Sequence, residues 1–473
     1  MTKKALTLLL AATMAMSMLT ACGDKKETQN GGNTIDTTDG LPAVDELDCK
    51  DTFVVSICGA TLEDGINSTT EQPAEGWNTY SANHLKEVFP DIDVEFVAVP
   101  WDNASAKMQT ILMSGETDLF TQGGAFQPEY YKEGLSQSLN PFLEADTEFV
   151  YEDHFAANWK THANCTSYDG TQTLTLPWAV GYRIVMYDAE IFDQWGVEPL
   201  SENPTPEEVM EKAAQMTGPN PVTGKQNYGA YIALNSLNMS FMIPTCEYFG
   251  ATECEGSWDD HAGLEWKMDS DEYAEAVQWV CDLTEYMPEA ATTGAGAELW
   301  GTADNDIAIM IDSNGAKMTS AITKDPSTEE FYTSKFIPVM HWGNNGGNWT
   351  PCDGMGMSAL TKGDDAIMAW YILKDLVTEG AMWNEEQWGP SFSPNLDVQA
   401  TFPEWDIWRQ MNARVIAEAT HPGYEINPFY QATIQPTLAS MFSRAAVGED
   451  VDVKSELADL NRKAQEWSAS QAE

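Results

Sequence analysis

The chain has 473 residues, of which 74 are Asp or Glu and only 24 are Lys or Arg, so its formal charge at pH 7 is −50. A surface this acidic repels nucleic acid and anionic lipid headgroups, and it favours neutral or cationic ligands. Hydrophobic residues still make up 43% of the sequence and aromatic residues 11%, which excludes an acidic disordered tail. The length exceeds that of one compact core and predicts two or three domains.

Residues 1–21 have the pattern of a secretory signal peptide. Lys3 and Lys4 precede the uncharged stretch ALTLLLAATMAMSM, which is too short to span a bilayer. The stretch LTAC that follows resembles the lipobox of bacterial lipoproteins, in which the cysteine, here Cys22, receives a diacylglycerol. The alternative is a plain signal peptide followed by a chance cysteine. We therefore expect an exported protein, lipid-anchored on the extracytoplasmic face of the cell membrane.

The stretch after Cys22 is predicted to be a flexible tether over residues 22–47. Its first part, GDKKETQNGGNTIDTTDG, has a single aliphatic residue, Ile35, and cannot bury enough surface to fold. Removal of residues 1–21 deletes two lysines and no acid, so the mature chain would carry a formal charge of −52. The pattern after residue 47 predicts folded structure without a membrane span.

Seven cysteines remain after Cys22, and their pairing is open. An odd number predicts at least one free thiol or an intermolecular bond, and none of the spacings is the C-x-x-C of a zinc or redox motif. Cys246 and Cys254 either close a small disulfide loop or stay as buried free thiols. The seven are Cys49, Cys58, Cys165, Cys246, Cys254, Cys281 and Cys352.

Strand and helix patterns alternate along the first part of the chain. The buried-strand run TFVVSICG is followed by a helical pattern in TYSANHLKEVF and by the alternating strand IDVEFVAV. A second helix, WDNASAKMQTILMSG, leads to the short strand DLFTQGG. This order predicts an α/β sheet with helices on both faces.

Further helices carry recognisable start and stop signals. A capping box of Thr205 and Glu208 begins one helix before Gly218, SDEYAEAVQWVCDLTEYMP runs to Pro288, and DDAIMAWYILKDLVTEG stops at Gly380. Tryptophans on or next to helical patterns are predicted to belong to the core: Trp195, Trp279 and Trp370.

The order of these segments resembles the extracellular solute-binding proteins of carbohydrate ABC transporters, the family that includes maltose-binding protein. The matching stretches are LKEVFPDIDVEFVAVPW, ILMSGETDLFTQGG, YDGTQTLTLPWAVGYRIVMYDAEIFDQWGV, NPTPEEVMEKA and NDIAIMIDSNG, with a final helix after AAVGEDVDVKSELADLN. The third stretch has Asp188 where the family usually has Asn. The resemblance covers roughly residues 48–467.

The resemblance implies an α/β, two-lobed periplasmic-binding-protein-like fold with a hinge and a ligand cleft between the lobes. The chain is expected to cross between lobes near Leu176–Trp178, Phe336 and Lys362. The implied division is residues 48–176 for lobe 1, 177–335 for lobe 2, 336–362 for a return to lobe 1, and 363–473 for a C-terminal helical part of lobe 2.

A neutral sugar offers hydroxyl groups around its ring and apolar faces above and below it, so its binder needs aromatic platforms and fixed polar groups. Loops at the strand ends that face the cleft are the expected positions. The alternative for each tryptophan is core packing, and for each aspartate a solvated or capping carboxylate. The candidate ligand-binding residues are Thr121, Gln122, Trp178, Asn238, Ser240, Asp312, Ser313, Asn314, Trp349, Asp353, Trp388 and Tyr430.

The resulting hypothesis is a binding lipoprotein of an ABC importer that captures a sugar or oligosaccharide and delivers it to permease subunits. We expect no catalysis, cofactor, metal or nucleic-acid partner. One alternative is a receptor for a cationic solute such as a polyamine or basic peptide, caged by the same aromatics and carboxylates. Another is a glycoside hydrolase with two carboxylates among the 74 acids. A surface adhesin is a third, against which the repeat-free α/β pattern argues.

Overall fold

The structure is a computed structural model. It describes residues 40–67, 72–101, 104–122, 126–180, 184–234, 241–257, 259–313, 315–342, 352–389, 393–418 and 427–472. The predicted signal peptide, the lipobox with Cys22 and most of the predicted tether lie outside these ranges.

Within the described ranges, ten strands form two five-stranded sheets. Two-stranded pairs are added by Gly65–Ile66 with Pro73–Ala74 and by Cys254–Glu255 with Glu265–Trp266. The ten strands are β1 (Thr52–Cys58), β2 (Asp93–Val99), β3 (Leu119–Gln122), β4 (Thr175–Val180), β5 (Ile184–Asp188), β6 (Gly218–Pro219), β7 (Gln226–Tyr231), β8 (Ile307–Ser313), β9 (Phe336–Val339) and β10 (Cys352–Met357).

The first sheet has the strand order β2-β1-β3-β10-β4, and the second has the order β9-β5-β8-β7-β6. In the first sheet β1 runs parallel to β2 and β3, whereas β10 is antiparallel to β3 and β4. In the second sheet β8 is parallel to β7 and antiparallel to β5. We call the first sheet with the helices that pack on it the first lobe, and the second sheet with its helices the second lobe.

Helices cover these sheets and supply most of the connections. A helical segment over residues 77–88 contains one π-helical stretch, Ser81–Leu85. The longer helices are Ala104–Ser114, Pro206–Gln215, Asp271–Leu283, Ala316–Lys324, Asp364–Val377, Glu379–Trp388, Ile407–Glu418, Gln435–Ala446 and Val453–Ser470. Shorter helices are Gln127–Lys132, Asn140–Ala145, Tyr151–His154, Ala189–Trp195, Met242–Tyr248, Glu329–Lys335 and Leu396–Ala400.

Each sheet has its own hydrophobic core. In the first lobe Phe53 and Trp370 lie in the main core, while Phe120 and Met108 form a smaller cluster with helix Ala104–Ser114. Helices therefore cover both faces of the first sheet, as the alternating pattern predicts. The core of the second lobe gathers β5, β7, β8 and β9 with the helices Asp271–Leu283, Gln435–Ala446 and Val453–Ser470. The α/β two-lobed prediction is confirmed.

Asp188 connects β5 of the second lobe to the helix that follows it. It ends β5 and caps the next helix, because one carboxylate oxygen accepts hydrogen bonds from the N–H groups of Glu190 at 3.0 Å and Ile191 at 3.2 Å. The other oxygen accepts from Asn305 Nδ2 at 2.7 Å and lies 3.0 Å from Lys335 Nζ. Burial raises the pKa of Asp188, although Lys335 opposes the shift. A buried carboxylate at this position is therefore tied to a buried lysine.

Between the described strands, the chain passes twice from one sheet to the other. β4 belongs to the first sheet and β5, which starts three residues after β4, to the second. The return lies between β9 and β10, that is, after residue 339 and before residue 352. Because four peptide steps span at most about 14 Å, the end of β4 and the start of β5 are close in space. A further passage to the second lobe follows helix Asp364–Val377, because helices Gln435–Ala446 and Val453–Ser470 pack in the core of the second lobe, so the crossing expected near Lys362 lies later in the chain.

The structure differs from the sequence-based boundaries in two segments. Phe336–Val339 was placed in the return to lobe 1, but it pairs with β5 in the second sheet. Asp364–Val377 was assigned to lobe 2, but nine of its side chains are buried and pack in the core of the first lobe. Helical periodicity shows that a face is apolar, yet it does not show which of two sheets that face meets.

A third difference concerns the end of the predicted tether. Leu41, Val44 and Leu47 pack against the core of the first lobe, and the hydroxyl of Tyr371 donates to the carbonyl of Pro42 at 2.9 Å. These apolar residues follow the Gly- and Thr-rich stretch, so packed structure begins before residue 47.

Candidate functional site

Four sequence-predicted residues lie along one rim of the first sheet, where β1, β3 and β4 end and β10 begins. Gly354 is opposite Gln122, and Asp353 is opposite Ala179. Thr121 precedes Gln122 in β3, and Trp178 precedes Ala179 in β4, at a shift of the register. Antiparallel insertion of β10 between β3 and β4 therefore brings together Thr121, Gln122, Trp178 and Asp353, which are far apart in sequence.

Within this rim Thr121 supports the backbone. Its side chain is 1% exposed, and its hydroxyl accepts a hydrogen bond from the Cys58 N–H at 2.9 Å. The Cys58 thiol donates to the Thr121 carbonyl at 3.3 Å. Burial, and after it the Asp353 carboxylate, raises the pKa of Cys58 to about 12. Thr121 thus fixes the ends of β1 and β3, while the half-buried Asp353 is the charge at this rim.

Trp178 rests on an aromatic layer of the first lobe. Its ring lies 5.5 Å from that of Trp77, which in turn lies 4.8 Å from Trp383. The backbone N–H of Trp178 donates to the Cys352 sulfur. Its side chain remains half-buried, so the ring is held in place and still presents surface.

Trp388 lies at the end of helix Glu379–Trp388, beside the Gly65–Ile66 hairpin. Its indole N–H donates to the carbonyl of Glu75 at 2.7 Å. The ring is half-buried and would be 3.6 Å from a Cβ atom at Gly65. The structure therefore places Trp388 on the hairpin surface of the first lobe.

The end of β8 brings the second lobe to the same region. Ser313 is opposite Ile184, the first residue after the passage from the first sheet. Two residues further on, Gly315 has a φ of +72°, and a Cβ atom there would lie 2.3 Å from Trp408. Ala316 packs against the core of the first lobe. The first residue of the helix after β8 therefore contacts the first lobe.

The remaining predicted residues are not brought to this rim within the described structure. Tyr430 is 2% exposed and packs in the core of the second lobe, at the start of the π-helical stretch Tyr430–Ile434. Its ring is part of the core, so for Tyr430 the alternative of core packing applies. The residues Asn238, Ser240, Asn314 and Trp349, and the side chains of Gln122 and Asp312, lie outside what the structure describes.

Trp101 is a candidate that the sequence reasoning missed. It follows β2, is 54% exposed, and lies so close to Gly59 that a Cβ atom there would be 2.3 Å from the indole nitrogen. Gly59 follows β1 and has a φ of +70°. An exposed indole at the carboxyl end of a parallel strand is positioned to meet a ligand. The signal available in the sequence was a Trp two residues after the strand pattern VAV, separated from it by Pro100.

The lobes also touch through charged and aromatic side chains. His261 of the second lobe is 5% exposed and lies 3.5 Å from Lys132 Nζ, 3.9 Å from a Glu129 oxygen, and 5.4 Å from the Tyr168 ring, all three in the first lobe. Its ring also contacts Trp467 at 5.3 Å. Burial, and then the Lys132 charge, lower the pKa of His261. A neutral imidazole therefore joins the lobes at neutral pH.

The described residues give no sign of a metal centre or a membrane span. Across the described ranges, no group of three or more His, Cys, Asp or Glu side chains is arranged to hold a metal ion. In the same part of the chain, no helix combines the length and apolar character needed to cross a bilayer.

Solved structures of low sequence identity share this fold. A putative oligosaccharide periplasmic-binding protein from Synechococcus sp. MITs9220 has a TM-score of 0.65 and 12% identity, covering 88% of this chain and 99% of the other. An ABC substrate-binding protein from Listeria monocytogenes in complex with cycloalternan has a TM-score of 0.63 and 15% identity, covering 88% of this chain and 99% of the other. An ABC transporter solute-binding protein from Agrobacterium vitis S4 with bound D-mannitol has a TM-score of 0.57 and 19% identity, covering 89% of this chain and 98% of the other.

The sequence itself matches the profile of one family over more than half of the chain. That family is described as bacterial extracellular solute-binding protein, and the match spans residues 65–374. No curated protein sequence matches the chain. The match includes every strand of the two sheets except β1 and ends within helix Asp364–Val377. The interpretation as a binding protein and not an enzyme is confirmed, and the chain belongs to the family of bacterial extracellular solute-binding proteins.

Proposed function

We propose that the protein is the receptor of an ABC importer and captures a sugar or oligosaccharide between its two lobes. The observation that carries the proposal is the rim of the first sheet, where the exposed Trp101, the supported Trp178 and the half-buried Asp353 lie at strand ends. Structural relatives with bound D-mannitol and cycloalternan add support for a carbohydrate.

The arrangement fits the chemistry of a sugar. Indole rings offer flat apolar surface to the C–H faces of a pyranose, and a carboxylate accepts hydrogen bonds from its hydroxyl groups. Ser313, at the end of β8, would add a hydroxyl group from the second lobe. A ligand that touches both lobes binds the closed state better than the open state, and so it shifts the population toward the closed form. The permease would read that closed form.

A thermal-shift screen of residues 41–473 against mono- and oligosaccharides tests the proposal. A ligand present at 100 times its dissociation constant stabilises the folded state by about 2.7 kcal/mol. We expect Trp101→Ala and Trp178→Ala to reduce the shift. The control is Phe331→Ala, because Phe331 is 37% exposed on the helix before β9, at the opposite end of the second sheet. Absence of any sugar-dependent shift, or cleavage of a glycan, would contradict the proposal.

A cationic solute is the second candidate, favoured by the formal charge of −50 and by the carboxylate beside the tryptophans. Replacement of Asp312 and Asp353 by Asn distinguishes the two. Binding of a polyamine should be abolished, because the ammonium groups lose their counter-charge, whereas binding of a sugar should only weaken. A shift given by polyamines and by none of the sugars would replace the first proposal with this one.

We further propose that the mature protein is anchored through a lipid on Cys22 and remains on the extracytoplasmic face of the membrane. The support is the LTAC stretch after the uncharged leader. Cell fractionation tests it: the protein should be in the membrane fraction, and Cys22→Ala should lose the lipid mass. Recovery of unlipidated protein that begins at another residue would refute the anchor.

A further inference from the structure

Two cysteines far apart in sequence meet in the first lobe. Cys165 and Cys352 are both 0% exposed, and their thiols form a hydrogen bond with each other. Cys352 is the first residue of β10 and lies opposite Val180 of β4. Thiols in hydrogen-bond contact need little movement to form a covalent bond.

The backbone on either side holds the pair in place. The Cys352 N–H donates to Asn164 Oδ1 at 3.0 Å, and the carbonyl of Cys165 accepts from the Leu174 N–H at 2.8 Å. The Cys352 sulfur also accepts from the Trp178 N–H. Both cysteines therefore sit on segments already joined to each other and to β4, so that the contact follows from strand register and not from a mobile loop.

The surroundings differ from those of the pair that is closest in sequence. Burial, and then the neighbouring Cys165, raise the pKa of Cys352 well above its ordinary value. By contrast, Cys246 and Cys254 both lie beside the Glu253 carboxylate. Burial is the larger cause of the raised pKa of each thiol, and the Glu253 charge is the next. Spacing along the chain favours Cys246 with Cys254, whereas the fold favours Cys165 with Cys352.

We propose that Cys165 and Cys352 are joined by a disulfide in the exported protein. The family is extracellular, and disulfides form and persist outside the cytoplasm. The inference rests on that location and not on the identity of the ligand. The bond would fix the start of β10 to the segment that leads into β4.

The oxidant is a disulfide compound, and the exchange balances. The thiolate of one cysteine attacks this disulfide, forms a mixed disulfide and releases one thiol. The second cysteine then attacks the protein sulfur, forms the Cys165–Cys352 bond and releases the second thiol. In total, the protein loses two protons and two electrons, and the oxidant becomes two thiols. Since both sulfurs are buried in the folded lobe, the exchange takes place before the core closes.

The bond would matter because of what lies between its ends. All of β5 to β9, the whole second sheet, lies between Cys165 and Cys352 in the sequence. Closing so long a loop restricts the unfolded chain strongly. It also ties together the two strands by which the chain leaves and re-enters the first lobe. The second lobe would then move relative to connecting segments of the first lobe that the disulfide holds together.

Peptide mapping of the full chain, exported by a bacterial host and purified without reductant, tests the proposal. Free thiols are alkylated in denaturant before digestion without reductant. We expect Cys165 and Cys352 to escape alkylation and to appear in one linked peptide pair, which separates after reduction. Alkylation of both without reduction, or linkage of either to another cysteine, would overturn the inference. A link between Cys246 and Cys254 in addition leaves the expected pair intact.

Stability provides a second readout. The protein is reduced in denaturant and refolded either with reductant or with oxidised glutathione. The oxidised form should unfold at a higher urea concentration than the reduced form. Cys281→Ala, a control in the core of the second lobe, should keep that difference, and Cys352→Ala should abolish it. An equal difference in both variants would contradict the assignment. Sugar binding is measured on the same samples, so that a linked protein that binds no sugar refutes only the proposed function.

Discussion

The buried ion pair of Asp146 and Lys374 gives the sharpest test of how the first lobe is held together. Their side chains are 5% and 18% exposed. One oxygen of Asp146 accepts from the Trp370 indole at 2.8 Å, and the other accepts from the N–H groups of Glu148 and Phe149 at 3.1 Å each. Burial opposes ionisation, but the hydrogen bonds from Lys374 and Trp370 outweigh it and lower the pKa of Asp146.

Asp146→Asn keeps the shape of the side chain and removes its charge, so that the Lys374 ammonium remains buried without its counter-charge. Loss of one partner of a buried ion pair costs about 3–5 kcal/mol. We expect the lower end, because Asn retains an oxygen for the two backbone N–H groups. Urea unfolding at pH 7 measures the difference. Asp459→Asn, which alters an ion pair on an exposed helix surface, should leave the unfolding midpoint nearly unchanged.

The pH dependence follows from the sign of the pKa shift. A carboxyl whose pKa is lowered in the folded state contributes its stability above its unfolded pKa, here 3.8, and loses it as the pH falls through the folded value. The gap in unfolding free energy between wild type and Asp146→Asn should therefore be constant from pH 7 to about 5 and shrink below about 4. A gap under about 1 kcal/mol at pH 7, or one that widens on acidification, would refute the reasoning.

Three further predictions concern single contacts. Thr205→Ala removes the hydroxyl that accepts from the Glu208 N–H at 3.1 Å and should cost about 1 kcal/mol in urea unfolding, whereas Thr205→Ser should cost far less. Gly229→Ala places a Cβ atom 1.9 Å from the Ala213 carbonyl, so that the melting temperature should fall by an amount equivalent to about 1–3 kcal/mol; an unchanged melting temperature would contradict this packing. Because the pKa of His261 is lowered, its contribution is lost as the pH falls below about 6.5; wild type should lose stability relative to His261→Gln between pH 7 and 5, and parallel pH profiles would be inconsistent with the buried contact.

Most of the secondary structure follows from the sequence, because side-chain periodicity and caps act locally. The strand pattern before Gly59 and the N-cap at Thr205 both appear in the structure where they were predicted, although the Glu208 carboxylate of the predicted capping box binds Ser201 and Lys212. The resemblance to the solute-binding family also came from sequence, since the order of such segments reflects the topology. What periodicity could not assign was the partner of each apolar face, so that Asp364–Val377 was placed in the wrong lobe.

The candidate site, too, was predicted in part from the sequence and decided in part by the tertiary structure. Thr121 and Asp353 were singled out at strand ends, and their meeting follows from the pairing of β10 with β3 and β4. Among the aromatic residues the sequence could not separate Tyr430, which fills the core of the second lobe, from Trp101, which is exposed. Both follow or precede ordinary loop residues, and only the packing of distant segments determines which ring is covered.

The sequence by itself determined the acidic composition, the alternation of strands and helices, and the family, because each is recorded in composition or local order; the leader with its lipobox stays a prediction from the same source. The tertiary structure alone decided where the chain changes sheets, which indoles stay accessible, and that Cys165 is a neighbour of Cys352. The physical reason is that strand register and core packing join residues far apart in the chain, and local patterns carry no information about that pairing.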